Sequence, residues 1–503
     1  MASTLPAGSS PALAGAPEEA QVDILDTSQA GPSIIRGSIL RLAAYLLGTL
    51  ATVASSAVVI RHLGLIDTGH YLTVTALVTI VAIVSDLGLT GFAVRDYATG
   101  PRAEGRRFLR NLLGIRIVLA FTGLLLAVLF GLLVGYPDVM VLGTIIAGSG
   151  MVFLVLQDGC SIPLQVGLRL GWVAAFQLAV QVGVAIEAVL LVLAGAGLLP
   201  FFAMQLPVVI PVLVATVIVG GPDSRLIPAV ETDQWRQMVG RILPFSAAVV
   251  LSVVYFQIAQ VMVSLLSSPA QTGYFGVSFR VLMSFTTLPP LLVSSSLPLL
   301  ARAARDDHER FNYAARKLVE TMVLAGCGIA LVLFLGAAVA IDVIAGSGYG
   351  HSIEVLHILS VALLGTFVIS ARGYALLSLD RLRAMLVCNA IALTVVVAAG
   401  VPLIDALGAR GAAIALVAAE LSLGLSYEYA LSRTRPELRL RPSFLLRAAA
   451  ATLLVGAVVS LLALPAVIAA MLGAALYVAA LLALGIVPPE IREALLRRHR
   501  AAV

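Results

Sequence analysis

Apolar stretches of roughly 20 residues recur along nearly the whole of this 503-residue chain, each long enough to cross a hydrocarbon layer about 30 Å thick as a helix. Nothing else in the sequence restricts the fold so strongly, because a backbone inside lipid must satisfy its own hydrogen bonds. Composition agrees: 60% of residues are hydrophobic and 12% charged, against about 25% charged in a soluble domain. A water-soluble core of this size has no room to hide so much apolar surface. The predicted fold class is therefore all-α, a polytopic transmembrane helical bundle of about 14 helices. The spans fall near 38–60, 71–94, 111–135, 139–160, 172–195, 199–220, 242–266, 272–300, 318–345, 352–378, 384–407, 411–431, 443–464 and 466–487.

Residues 1–36 read differently. They are rich in Ala, Pro, Ser and Gly and carry Glu18, Glu19, Asp23 and Asp26, the composition of a disordered tail. No short apolar stretch with a small-residue cleavage site precedes them, so a cleaved signal peptide is not expected. Cys160, Cys327 and Cys388 fall in or near apolar spans, with a spacing that suits neither a disulfide framework nor a metal site.

The arginines set the orientation. Of 32 Lys and Arg residues, only Arg61 and Arg410 fall in odd-numbered loops, and Arg116, Arg280 and Arg372 lie within spans. The rest cluster in even-numbered loops and at the two ends, as in Arg95–Arg110, Arg225–Arg241, Arg302–Lys317 and Arg433–Arg447. Basic loop residues mark the cytoplasmic side, so both termini and every even loop are expected in the cytoplasm of a cell inner-membrane protein. A net charge of +5 would by itself be compatible with nucleic-acid binding, but its placement in short loops between apolar spans argues for membrane lipids instead. The stretches Arg102–Arg110 and Arg302–Lys317 suit either contact with anionic headgroups or plain positive-inside anchoring.

Thr68-Gly69-His70-Tyr71 is echoed by Thr272-Gly273-Tyr274-Phe275, each between the first and second helix of a six-helix set. An even number of helices between the copies keeps their orientation, so two like-oriented lobes related by a pseudo-twofold along the membrane normal are expected. The domains read as a tail (1–36), a first lobe (37–220), a cytoplasmic linker (221–241), a second lobe (242–431), and a segment (432–503) holding a loop, two extra helices and a basic tail.

Arg61-x-Leu-Gly-x-x-Asp67-x-Gly69-x-Tyr71, followed by Ser85-Asp86-Leu87-Gly88-Leu89 and Arg95, resembles the first helical pair of polysaccharide-biosynthesis flippases. Gly273-Tyr274 with Arg280 resembles their seventh-to-eighth helix turn, and Gly408-Ala-Arg-Gly411-Ala412-Ala413 the start of their twelfth helix. These are Wzx-type oligosaccharide flippases of the multidrug/oligosaccharidyl-lipid/polysaccharide exporter superfamily, and the resemblance covers about residues 37–431. It implies flipping of a polyprenyl-diphosphate-linked glycan between leaflets, with polysaccharide polymerase and glycosyltransferases as partners. The chain departs from the family at its seventh helix, where members often carry an acid before a Met: here neither Ala259 nor Gln260, ahead of Met262, is ionisable.

Such a cargo has an anionic diphosphate, a polar glycan and an apolar tail. An ionisable side chain costs about 2.5–3.5 kcal/mol at a helix centre, so those present face a cavity or a partner. Arg280, Arg116, Arg372 and Arg41 are the candidate substrate-binding residues, since guanidinium groups suit oxyanions. Arg280 lies deepest; Arg41, Arg116 and Arg372 are near enough to the cytoplasmic side to snorkel. Glu187 and Glu420, deep in the fifth and twelfth helices, either pair with an arginine or bind a coupling ion, while Asp86 suits a structural or gating role. Gln257 and Gln260 share a face and suit interhelical hydrogen bonds or sugar hydroxyls. The one lysine, Lys317, follows Arg316, so there is no P-loop. No catalytic residue, metal or cofactor is expected. Rival readings are a peptidoglycan lipid-precursor flippase, a drug/cation antiporter, and a membrane glycosyltransferase or polymerase. The enzyme is disfavoured by short outer loops, and the antiporter by the absence of Asp and Glu from residues 38–60.

Overall fold

The computed structural model describes residues 30–86, 102–167, 169–294, 300, 302–303 and 307–485. Residues 1–29 of the expected tail, the Leu87–Arg95 part of the second-helix motif and the basic C-terminal tail lie outside them. Every regular element among the described residues is helical. The α-helices are α1 (Ala30–Asp86), α2 (Arg102–Val134), α3 (Asp138–Val166), α4 (Leu170–Leu193), α5 (Leu198–Ala203), α6 (Leu206–Gly220), α7 (Thr232–Leu266) and α8 (Pro269–Thr286). They continue as α9 (Leu288–Ser294), α10 (His308–Leu335), α11 (Ala337–Ala345), α12 (Gly350–Ser378), α13 (Leu382–Leu407), α14 (Ala409–Thr434), α15 (Pro442–Leu461) and α16 (Ala466–Ala483).

Helix α1 holds 57 residues, which as a straight rod would run roughly 86 Å at about 1.5 Å per residue, far more than one bilayer. Gly64, at φ 72° and ψ 179°, breaks it into two passes. That conformation favours glycine because a Cβ is strained at positive φ. Among the described residues thirteen helical segments are long and apolar enough to cross a membrane, the first of them bent in this way. Helix α1 also starts inside the segment read as a tail. Ile34, Ile35 and Ile39 extend the apolar periodicity of the first span towards the N-terminus, which the Ala/Pro/Ser composition had masked.

Two lobes result. In the first, α1 packs on α2, α3 and α4, and α3 on α6. In the second, α14 packs on α12 and α13, α12 on α8 and α10, and α13 on α7. The final pair, α15 and α16, packs on the flank of α10. A continuous aromatic and aliphatic core, including Phe275, Phe279, Leu363, Phe367 and Leu416, fills the second lobe. The first lobe is knit by smaller clusters, such as Val59, Ala188, Phe201 and Met204. Outward-facing residues such as Leu125, Leu193 and Leu461 leave an apolar belt for lipid.

The lobes meet through α1, which packs against α7, α8 and α11. The two Thr-Gly pairs seen in the sequence, one in α1 and one in α8, touch there. A methyl group on Gly69 would lie 2.9 Å from the Pro269 carbonyl oxygen and 3.1 Å from the Gly273 nitrogen. Around this close approach Tyr349 Oη donates to Thr68 Oγ1 (3.1 Å), and Arg61 Nη2 donates to the Asp342 carbonyl (2.7 Å). Gln260 Nε2 donates to Thr73 Oγ1 and the Thr272 carbonyl, both at 3.4 Å. Gln260 is thus an interhelical bond, as one of its two sequence readings had it.

Candidate functional site

Helix α8 is capped by Ser268, whose side chain accepts from the Gln271 amide at 3.3 Å, and begins at Pro269. From there it carries Arg280 on the order of 17 Å along its axis, at about 1.5 Å per residue. Arg280, Ser284 and Thr287 recur at i, i+4 and i+7 and therefore share one face. Tyr45, Thr49 and Thr52 of α1 have the same spacing and face them across a cavity of about 390 Å³ that Gln181 of α4 also lines. The cavity thus joins the two lobes.

Arg280 Nε and Nη2 donate to Ser56 Oγ at 3.0 and 2.7 Å. Among the described residues Ser56 is its one hydrogen-bond partner and no carboxylate pairs with it. The hydroxyls of Thr49, Thr52 and Ser56 donate to the α1 carbonyls of Tyr45, Gly48 and Thr52 at 2.9, 2.9 and 2.8 Å. Their lone pairs then remain to accept, as Ser56 does from the guanidinium. A cationic side chain without a counter-ion, in a polar cavity at mid-depth, is an arrangement that attracts an anion.

The other sequence candidates lie elsewhere. Arg116 does not snorkel: it is 2% exposed and its Nη2 meets Asp86 Oδ1 at 2.7 Å. Asp158 of α3, which the sequence reading overlooked, lies within electrostatic reach of both. Arg372 is 1% exposed, with Nη2 at 2.5 Å from Glu428 Oε2 and donating to the Leu438 carbonyl at 3.0 Å. Glu428 Oε1 in turn accepts from the Leu440 amide at 2.9 Å. The chain between α14 and α15 thus folds back over Arg372 and seals it from the water it was expected to reach. Carboxylates thus occupy Arg116 and Arg372 within separate lobes, while Arg280 faces the cavity between them. The Arg41 side chain lies outside the described positions.

Among the described residues neither interior glutamate pairs with an arginine. Glu420 is 1% exposed. It accepts from Tyr255 Oη at 2.6 Å and Thr366 Oγ1 at 3.1 Å, so α7, α12 and α14 converge on one carboxyl group held by neutral donors. Glu187 is half-buried in α4, with no ion-pair or hydrogen-bond partner among the described residues. A second cavity of about 680 Å³ lies between α10, α12 and α15. Its walls, including Val323, Leu331, Leu364, Val368 and Leu453, carry no charged residue.

Two helical lobes joined around a cavity at their interface make up the fold. The fold is similar to that of the lipid II flippase MurJ in an inward closed conformation: TM-score 0.71, 13% identity, covering 89% of this chain and 98% of that one. It is also similar to an inward-facing multidrug resistance MATE family transporter (TM-score 0.64, 13% identity, 79% and 98% covered). The MATE multidrug transporter DinF-BH matches with TM-score 0.60 and 14% identity over 82% and 98%. The family model for polysaccharide biosynthesis proteins matches residues 58–354, more than half the sequence, and the chain belongs to that family. No curated protein matches.

Proposed function

We propose that this protein flips a polyprenyl-diphosphate-linked oligosaccharide from the cytoplasmic to the outer leaflet of the inner membrane, by alternating access, for surface polysaccharide synthesis. The observation that carries this reading is Arg280, a cation in the cavity between the lobes whose one partner among the described residues is a serine. It is the substrate's diphosphate anchor, while Tyr45, Thr49, Thr52 and Gln181 supply hydrogen bonds to the glycan. The uncharged groove beside α15 suits the apolar tail. Arg116 and Arg372 are assigned to structural pairs with Asp86 and Glu428 instead. Glu420 is the group that exchanges a coupling proton or cation, because a carboxyl group surrounded by neutral donors can lose or gain charge without breaking an ion pair. Both termini belong in the cytoplasm by the arginine distribution, beside the glycosyltransferases that build the cargo.

A peptidoglycan precursor shares the polyprenyl diphosphate, so the likeness to MurJ also supports a lipid II reading. Reconstitution separates them. Vesicles containing the protein are loaded with either lipid-linked oligosaccharide or lipid II, and arrival in the opposite leaflet is read by an impermeant glycosidase or lectin. Faster flipping of the oligosaccharide, lost in Arg280→Gln, supports the proposal. Flipping of lipid II alone, or none of either, contradicts it.

A further inference from the structure

We propose that the cleft between the first turns of α2 and the linker ahead of α7 binds a membrane-borne phosphate or diphosphate group, at the face predicted to be cytoplasmic. The cleft has a volume of about 580 Å³ and is walled by Arg106, Arg107, Arg110 and Arg225, with Glu231 as its one acid. Glu231 is taken up by Arg107, whose Nε approaches both carboxylate oxygens at 3.2 and 2.9 Å. The lining as a whole sets four guanidinium groups against one carboxylate, and no hydrogen bond or ion pair involves Arg225 among the described residues.

The charges are assembled by the fold rather than by loose side chains. The linker is stitched to α2: the Ala229 amide donates to the Arg110 carbonyl (3.0 Å) and Arg110 Nε to the Ile227 carbonyl (2.9 Å). Asn111 Oδ1 accepts from the Glu231 amide and Asn111 Nδ2 donates to Gln234 Oε1, both at 2.9 Å. Gly114 permits this docking, since a methyl group there would collide with the Ala229 carbonyl. Holding like charges together in a fixed cleft costs repulsion, which a bound anion relieves. Simple positive-inside anchoring needs basic residues near the surface, but neither a cavity nor a pinned linker. The depth fits a lipid-borne anion as well. The apolar run of α2 begins after Arg110, so Arg106–Arg110 stand at its polar end, where headgroup phosphates are expected, and guanidinium groups bind their oxygens two at a time.

Two sources offer this chemistry, the diphosphate of a lipid-linked glycan and the headgroup of an anionic phospholipid. Full-length protein carrying Arg280→Gln, which removes the interlobe anchor, is placed in phosphatidylcholine nanodiscs. Undecaprenyl diphosphate or phosphatidylglycerol is titrated in, and retention is read by native mass spectrometry. Adding Arg225→Gln, or Arg106→Gln with Arg225→Gln, is expected to weaken one or both probes at least tenfold, while Arg433→Gln leaves them unchanged. Loss of the diphosphate probe alone identifies a cargo receptor, and loss of phosphatidylglycerol alone a lipid site. Arg225→Gln removes none of the stitching bonds, so the fold survives that variant. Unchanged retention of both probes overturns the inference and leaves the Arg280 proposal standing.

Discussion

Replacing Gly69 by alanine tests how the lobes are held together. The added methyl carbon would sit 2.9 Å from the Pro269 carbonyl oxygen and 3.1 Å from the Gly273 nitrogen. Both are backbone atoms at the start of α8, so neither can swing aside, and the lobes must part by a few tenths of an ångström. Overpacking of this kind costs about 1–3 kcal/mol. Alanine's better helix propensity, worth up to about 1 kcal/mol, acts equally whether or not the lobes touch, so it cancels from the comparison. A differential of about 1–2 kcal/mol would change the ratio of closed to open forms by roughly 5–30-fold. Spin labels at Ile66 and Leu407, both exposed, would report this separation by pulsed electron resonance, with little interference from the buried Cys160, Cys327 and Cys388. The expected outcome is a new, longer distance population in Gly69→Ala. An unchanged distribution in a folded variant would refute the argument that this glycine contact closes the interface.

Further outcomes follow from the ion pairs and the interior acid. Arg372→Met strands Glu428, itself 24% exposed, and should cost about 3 kcal/mol, the low end for breaking a buried pair. The double change with Glu428→Met should recover most of the lost melting temperature, and a double variant no better than the single one would deny the pairing. Glu420→Gln keeps hydrogen-bond capacity towards Tyr255 and Thr366 but not the charge. It should abolish acceleration of flipping by an ion gradient while leaving downhill flipping measurable in vesicles. Full gradient dependence in that variant would remove Glu420 from coupling. The hydrogen bonds and charge of Arg107 hold the Glu231 carboxyl below its ordinary value. A depressed carboxylate stabilises above its unfolded pKa and ceases to do so as pH falls through the lowered value. Protease nicking of the 225–231 linker should therefore stay constant from neutral pH down to the ordinary glutamate range and rise only below it; a rise between pH 7 and 6 would contradict the pair.

The bundle was legible because span length and arginine placement are one-dimensional signals. Even the Thr-Gly repeat carried spatial information, since Gly69 and Gly273 meet where the lobes join. The bend at Gly64 was legible only as a boundary between spans. Partner choice was not legible. Arg116 and Asp86 sit on different helices, and whether they meet depends on helix rotation, which an almost uniformly apolar sequence does not encode. Glu428 lies near the end of the 411–431 span and was not singled out, although the returning chain at Leu438–Leu440 encloses it. Asp158, next to Gln157 at the close of the fourth span, was missed for the same reason. Arg280 stood out because its depth could be counted from the turn at Thr272-Gly273. The cationic cleft was visible only as two separate basic stretches until the linker was seen docked on α2.

A structure of the protein with its lipid-linked glycan in nanodiscs, solved by electron cryomicroscopy, addresses the anion anchor itself. Diphosphate density within hydrogen-bonding distance of the Arg280 guanidinium, with sugar density along Thr49, Thr52 and Gln181, is the predicted result. Cargo bound with its phosphates away from Arg280, or Arg280 still engaged only by Ser56 while the lipid occupies another site, would contradict it.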